Sequence, residues 1–270
     1  MHPKAQILRC LLAQPDIIQV AGAHNGLSAR LVEQAGFEAI WASGLEISAA
    51  NAVPDANILT MTDYLEAARR AGDWLIRDQE PDGSWVRFTY NNVAHAWEVR
   101  VSWALLLLAQ ISGETRYEHA ARKNIAWTRS QQRADGWFDH LALVPGEAAV
   151  MHTIAYTLEG MLECGMQLND AGMIQSARRP ADVLLEHQRA DGALPGAFAD
   201  GWRSSDHFTC LTGNAQMAIV WQRLYQLGGD EKYLNASEHI IDYVCRAQLV
   251  RTRDRNLLGS LPGSDPIDGD

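Results

Sequence analysis

The sequence predicts a mainly α-helical fold of repeated helical hairpins, preceded by a short β-α-β segment of a different kind. Three observations carry this. The pattern Gln-x-x-Asp-Gly occurs at Gln79 to Gly83, Gln132 to Gly136 and Gln188 to Gly192, with its aspartates 53 and then 56 residues apart. His95, His152 and His207 echo it at spacings of 57 and 55. Residues 1 to 68 lack the pattern and carry two short apolar runs instead. Self-similarity at a fixed long period marks a repeat architecture, here a helical hairpin of roughly 55 residues. Asp-Gly breaks each helix, because Gly adopts positive φ and Asp tolerates a tight turn.

In a chain of 270 residues, 47% hydrophobic content supports a real core, as one large domain or two small ones. The 23 Lys and Arg against 33 Asp and Glu give a formal charge of -10, with no basic run to collect phosphates, which argues against a nucleic-acid partner. Cys10, Cys164, Cys210 and Cys245 are dispersed, form no Cys-x-x-Cys pair and follow no signal peptide, so reduced thiols in a cytoplasmic protein are expected. The longest apolar run, Val101 to Ala109, is too short to span a bilayer and reads as a buried helix.

Taken in order, Ile17 to Ala23 reads as a buried strand, Gly26 to Gly36 as a short helix closed by glycine, and Glu38 to Ala42 as a second strand. Ser43-Gly44-Leu45 follows, where backbone amides at a strand's C-terminal end can hold an anion, and a long loop then carries Asp55 and Asn57. The stretches Ala23-His24-Asn25-Gly26-Leu27-Ser28-Ala29-Arg30, Ala35-Gly36-Phe37, Ile40-Trp41-Ala42-Ser43-Gly44-Leu45 and Pro54-Asp55-Ala56-Asn57 together resemble the start of phosphoenolpyruvate mutase and its relatives in the isocitrate lyase superfamily, from about Gln6 to about Arg69. That resemblance implies a TIM-type barrel acting beside a pyruvyl enolate held on magnesium. It implies Trp41, Ser43, Gly44, Leu45 and Asn57 as substrate-binding residues and Asp55 as the catalytic acid of a mobile loop. The family's later Asp-x-Asp pair and Glu-Asp-Lys cluster do not follow Arg69, so Mg2+ is implied while its usual ligands are missing. Two strands cannot close a barrel, and residues 1–68 are expected to be a truncated TIM-barrel-like start.

A helical pattern from Thr62 to Gln79 joins the two parts without a flexible linker, Tyr64, Leu65, Ala68, Ala71, Leu75 and Ile76 recurring at helical spacing. Further helices are expected near 94–112, 115–132, 149–166, 170–189, 208–228 and 230–248, making seven. Ser112 to Tyr117 and Gly228 to Tyr233 are matching hairpin turns, with Gly ending one helix and an acid opening the next. Gly259-Ser260-Leu261-Pro262-Gly263-Ser264 echoes Gly192-Ala193-Leu194-Pro195-Gly196-Ala197. Over about residues 69–265, before a tail at 266–270, the paired helices and Gln-x-x-Asp-Gly-x-Trp elements resemble the α/α toroids of the terpenoid-cyclase, protein-prenyltransferase and six-hairpin glycosidase group. This implies an incomplete α/α toroid whose central cavity is lined by the ends of its inner helices; the fold alone names no reaction.

In such a ring His95, Trp137, His152, Asp206 and His207 are the residues expected to meet in the cleft, with Trp85, Trp97 and Trp202 as further aromatic walls. A sugar would fit through stacking and carboxylate hydrogen bonds, a prenyl chain through aromatic faces. Asp139 and Asp206 form the best glycosidase-type carboxylate pair. The plainer reading of the repeated histidines and tryptophans is that they cap and pack successive hairpins. Asp206-His207-x-x-Cys210 collects zinc-ligand types but not in the prenyltransferase arrangement, and no metal site is assigned. Asp-x-Asp-Asp, a Gly-rich phosphate loop and a dinucleotide fingerprint are all missing. Three functions stay open. One is a mutase-like isomerase or lyase linked to phosphonate metabolism but short of most catalytic residues. The second is a carbohydrate- or isoprenoid-handling toroid that catalyses or only binds, and the third an inactive truncated fusion. The expected partner is a small-molecule substrate or sugar, not nucleic acid or membrane. Unpaired strand edges and an open ring also predict self-association.

Overall fold

The computed structural model describes residues 20–23, 34–36, 39–42, 61–205, 207–252 and 257–267. The chain divides into two compact units, Met1–Arg70 and Ala71–Asp270.

In the first unit, β1 (Val20–Ala23) and β2 (Ala39–Ala42) pair in parallel, Val20 opposite Ala39 and Ala23 opposite Ala42. Parallel neighbours need a long crossover, which suits the β-α-β order expected. Of the expected crossover helix only its end at 34–36 falls among the described residues, where Gly36 has a φ of 82°. Helix α1 (Met61–Asp78) contains the boundary between the units.

The second unit is helical. It holds α2 (Val99–Ser112), α3 (Thr115–Ser130), α4 (Met151–Leu168), α5 (Ala171–Glu186), α6 (Leu211–Gly228) and α7 (Glu231–Arg246), so with α1 there are seven α-helices among the described residues. The start of α2 moves from the expected 94 to Val99 because Ala96–Glu98 form a separate 3-10 turn. Hairpins α2–α3, α4–α5 and α6–α7 stack so that α4 also packs against both α2 and α6, forming an inner layer. Their sequences explain the sorting. In α4, Met151, Ile154, Ala155, Leu158, Met161 and Cys164 are fully buried, as befits a helix covered on several sides, whereas α7 buries one stripe of Tyr233, Ala236, Ile240 and Val244. Gly160 and Gly213 let the inner helices approach: a Cβ there would lie 2.6 Å from Val99 Cγ1 and 2.5 Å from the His152 nitrogen. No helix among the described residues is long and apolar enough to cross a membrane.

The short turns behave as expected, with Gly113 and Gly229 left-handed at the ends of α2 and α6. The Gln-x-x-Asp-Gly elements need a correction. The outer helices already end at Asp78, Ser130 and Glu186, so Gly83, Gly136 and Gly192 are not helix caps. They have φ values of 96°, 87° and 96° inside a separate tight turn, which Asp82, Asp135 and Asp191 close by accepting the backbone N–H two residues on. The glutamines supply what the pattern alone hides. Each Nε2 donates both to the turn glycine's carbonyl and to a carbonyl of the next outer helix. Gln79 reaches Gly83 and Ala120 at 3.1 and 2.9 Å, Gln132 reaches Gly136 and Ser176 at 3.3 and 2.7 Å, and Gln188 reaches Gly192 and Ala236, both at 2.9 Å. Gln248 donates likewise to Gly259 at 2.8 Å. The tail echo is structural too: Met151 N–H donates to the Gly196 carbonyl and Leu211 N–H to that of Gly263. These turns hold hairpin to hairpin and set the loops at the N-terminal ends of the inner helices.

Candidate functional site

Those loops form a cleft of about 440 Å³. Three segments build it: the approach to α2 at 93–95, the α3–α4 loop, and the hairpin of β4 (Ala197–Ala199) and β5 (Arg203–Ser205). The hairpin is fixed because β4 also pairs with β3 (Ala149–Val150), the two residues leading into α4. The other short pair is β6 (Thr209–Cys210) with β7 (Ser264–Asp265) before α6.

Arg133 organises the cleft's charge. Its guanidinium donates to Asp139 and Asp200, each at 2.5 Å, so one cation holds two carboxylates on either side. The Arg133 hydrogen bond keeps the Asp200 carboxyl below its ordinary range, and the same two acids raise Arg133 further. Arg203 and Glu147 line the same cleft. Its aromatic side comes from Trp137, which meets Trp202 edge-on at 5.1 Å, and Trp202 in turn meets Phe198 at 5.9 Å. The Trp202 indole N–H donates to the Asp135 carbonyl, tying this wall to the Asp-Gly turn. His140 and Trp202 hold positive φ, 63° and 60°, a strained setting for side chains of this size.

Among the residues expected to converge, His95 and Trp137 line this cleft. His95 is buried, with Nε2 against the Tyr90 carbonyl at 2.9 Å and its ring stacked on Trp97. His152 sits elsewhere, at the start of α4, with Nδ1 3.9 Å from Cys210 Sγ. Burial lowers His152 and raises Cys210, so the two meet as neutral imidazole and thiol. Cys210 spends its sulfur on the Gly213 N–H as the cap of α6. His207 is exposed while Cys210 is buried, so these two do not make the compact metal grouping their spacing suggests, and Asp206 lies outside the described residues. Trp41 stands in β2 opposite Gly22, its side chain undescribed, and Ser43, Gly44, Leu45, Asp55 and Asn57 lie outside the described residues. Among the described residues no group of three or more His, Cys, Asp or Glu gathers to hold a metal ion.

Sequence reasoning missed Arg133 as the bridge, and missed Asp200, Arg203 and His140. It also missed an ionic face on the inner helices. There Arg100 stacks over Tyr156 at 4.0 Å and pairs with Glu159 at 3.3 Å, and Arg223 pairs with Glu163 at 2.8 Å. Burial raises Glu159, with Arg100 opposing. His152, Tyr156, Glu159 and Glu163 recur at helical spacing along α4, and that was the available signal.

The family model described as phosphoenolpyruvate phosphomutase matches residues 8–75. Phosphonopyruvate hydrolase of Variovorax sp. (strain Pal2) is 53% identical over 66 residues, 24% of this chain and 23% of that protein. The 2-methylisocitrate lyase of Bacillus subtilis (strain 168) is 43% identical over 68 residues, again 24% and 23%. The chain thus spans less than a quarter of the length of these relatives. In structure, unsaturated glucuronyl hydrolase from Bacillus sp. GL1 superposes with a TM-score of 0.58 at 15% identity, over 73% of this chain and 59% of that one. At this identity the likeness carries the fold alone. The N-terminal part is similar to the phosphoenolpyruvate mutase and isocitrate lyase group, and the helical part has the fold of the α/α toroid enzymes.

Proposed function

We propose that the helical part binds a saccharide in the cleft between Trp137, Asp139, Asp200 and Arg203. The observation that carries this is the pairing of one aromatic wall with a bridged set of charges. Carboxylates oriented by Arg133 offer acceptors for sugar hydroxyls, Arg203 offers donors, and Trp137, only 6% exposed, adds a small apolar patch to the wall. A prenyl chain would leave those charges facing hydrocarbon, a cost that favours the sugar among the two ligands the toroid fold suggests. Asp200, held below its ordinary range by Arg133, is suited to accept hydrogen bonds from a bound ligand. The glucuronyl hydrolase that shares the fold is itself named for a carbohydrate. The test is calorimetric titration of a panel of neutral and uronate oligosaccharides. Asp200→Ala and Arg203→Ala, both exposed, should each weaken binding about tenfold or more while leaving the melt unchanged. Affinity unchanged from the unsubstituted chain in both variants would refute the assignment.

A second reading attaches to the N-terminal part. Its support is the match over residues 8–75 and the 53% identity to phosphonopyruvate hydrolase across 66 residues. Ser43, Gly44 and Leu45 would then bind the anionic end of a phosphonopyruvate-type acid through backbone amides. Saturable binding of phosphonopyruvate that survives Asp200→Ala but is lost in Asp55→Ala would support it, and no binding by the intact chain would remove it.

A further inference from the structure

The joint between successive hairpins is built three times to one plan, and a fourth copy of it stands open. Arg189 N–H donates to the Ala193 carbonyl and Gly192 N–H to the Arg189 carbonyl; in the turn after α7, Leu249 N–H donates to Ser260 and Gly259 N–H to Leu249, all at 2.9 Å. Gly259 has a φ of 83°, and Gln248 clips it as the other three glutamines clip theirs. What differs is the neighbour. A Cβ at Gly83, Gly136 or Gly192 would lie 2.4 Å from the Lys123 carbonyl oxygen, 3.2 Å from the Pro180 nitrogen or 2.2 Å from the His239 carbonyl oxygen, each on the next outer helix. At Gly259 it would meet nothing within 4 Å among the described residues. Gln248 likewise has, among the described residues, no outer helix to take its second hydrogen bond.

The outer helices say what fills such a joint. Ala120, Ser176 and Ala236, whose carbonyls take the glutamine's second bond, each stand 12 residues before the next glutamine, at Gln132, Gln188 and Gln248. They are only 3%, 9% and 5% exposed. The residue 12 before Gln79 is Ala67 in α1, as small as these but exposed, and no Asp-Gly turn among the described residues seats on α1. A second pair of positions agrees. Tyr117 and Tyr233, each 15 residues before its glutamine, donate to Asp73 and Asp182 of the preceding outer helix at 2.9 and 2.6 Å. The joint between α3 and α5 has Met173 and Ala126 at those positions, so polar is matched with polar and apolar with apolar. In the open joint α7 presents exposed Asp242, and the sequence of α1 carries Tyr64 at the matching position.

Stacked repeats contact only their neighbours, and a repeat end without a polar cap is a surface for one more repeat. The uncovered face of α1 and the uncovered turn after α7 are the two halves of one joint. We propose that copies of this chain associate head to tail, α1 of one copy seating on α7 and on the turn closed by Gln248 and Gly259 of another. The contact repeats the joint that already links α1 to α3, α3 to α5 and α5 to α7. It is heterologous, because each copy offers a different surface. Apolar area around the turn adds to it: Leu261 is 44% exposed, whereas Phe138 and Leu194, likewise two residues past the turn glycine, are fully buried. The inference does not depend on a saccharide occupying the cleft.

The test is the mass of the full chain by sedimentation equilibrium from about 1 to about 500 μM, since association by mass action grows with concentration. Ala67→Arg blocks the head. Gly259→Asn blocks the tail with a residue that tolerates a left-handed backbone, and Asp242→Arg on α7 is a second tail block. All three positions are exposed, so circular dichroism melts should show each variant folded. The unsubstituted chain should reach at least twice the monomer mass, and each variant alone should stay monomeric. An equimolar mixture of Ala67→Arg with either tail variant should form a one-to-one dimer that grows no further, because one intact head then meets one intact tail. An unsubstituted chain that stays monomeric, a single variant that still associates alone, or a head-plus-tail mixture that stays monomeric would each overturn the proposal.

Discussion

Replacing Gly192 by alanine should be the most damaging single-methyl change in the helical unit. An added Cβ would lie 2.2 Å from the carbonyl oxygen of His239 in α7 and 2.7 Å from its carbon. Two costs add. A non-glycine residue at a φ of 96° is strained by about 1–2 kcal/mol, and forcing the turn away from α7 costs about 1–3 kcal/mol as overpacking. The sum, about 2–5 kcal/mol, corresponds to a drop in Tm of roughly 4–20 °C for a unit of this size. Gly113→Ala is the control. It also has positive φ, 74°, but nothing lies within 4 Å of its Cβ, so it should lose only about 1 kcal/mol. Urea melts followed by circular dichroism measure both. Equal losses for the two variants would refute the claim that the turn is pressed against the next outer helix.

Three further outcomes follow from the same structure. Gln188→Ala removes both hydrogen bonds that clip the Asp-Gly turn to α7 and should cost about 1–3 kcal/mol in the same melts, with Gln79→Ala and Gln132→Ala alike. Glu98 titrates higher in the folded chain, about 8, than its ordinary 4.5, so the native state binds the proton more tightly and stability falls as pH rises between those values. The slope attributable to Glu98 is at most about 1.4 kcal/mol per pH unit, and Glu98→Gln should flatten it in urea melts at pH 5, 6, 7 and 8. Finally, peptide mapping after brief maleimide treatment of native protein should show modification of exposed Cys245 well before Cys164 and Cys210, whose thiols burial pushes up.

The fold was legible because its signals are local or periodic. The period of Asp82, Asp135 and Asp191, the apolar spacing in α1 and the Gly113 and Gly229 turns each follow from backbone preference within a few residues. The glutamine clips were visible as a repeat but not as a mechanism, since the carbonyls of Ala120, Ser176 and Ala236 lie over 40 residues from their donors. The α2 boundary slipped because Ala96–Glu98 continue the apolar pattern in a 3-10 turn, which periodicity does not separate from α-helix. At the site, His95 and Trp137 stood out by repetition. Asp200 and Arg203 did not, because they belong to a hairpin in one repeat only, where charged loop residues look like any solvated turn. The same holds for Glu98: beside a tryptophan in sequence it looks like surface charge, and only the packing of its 3-10 turn leaves it 5% exposed.

The most direct test of a saccharide-binding cleft is hydrogen–deuterium exchange of the intact chain, with and without a mixture of neutral and uronate oligosaccharides and, separately, with magnesium and phosphonopyruvate. A sugar held by Trp137, Asp139, Asp200 and Arg203 predicts slower exchange in residues 131–148 and 197–205 with the oligosaccharides. Unchanged exchange there, or protection that appears only within residues 8–75 and only with phosphonopyruvate, would contradict the cleft and move the function to the N-terminal part.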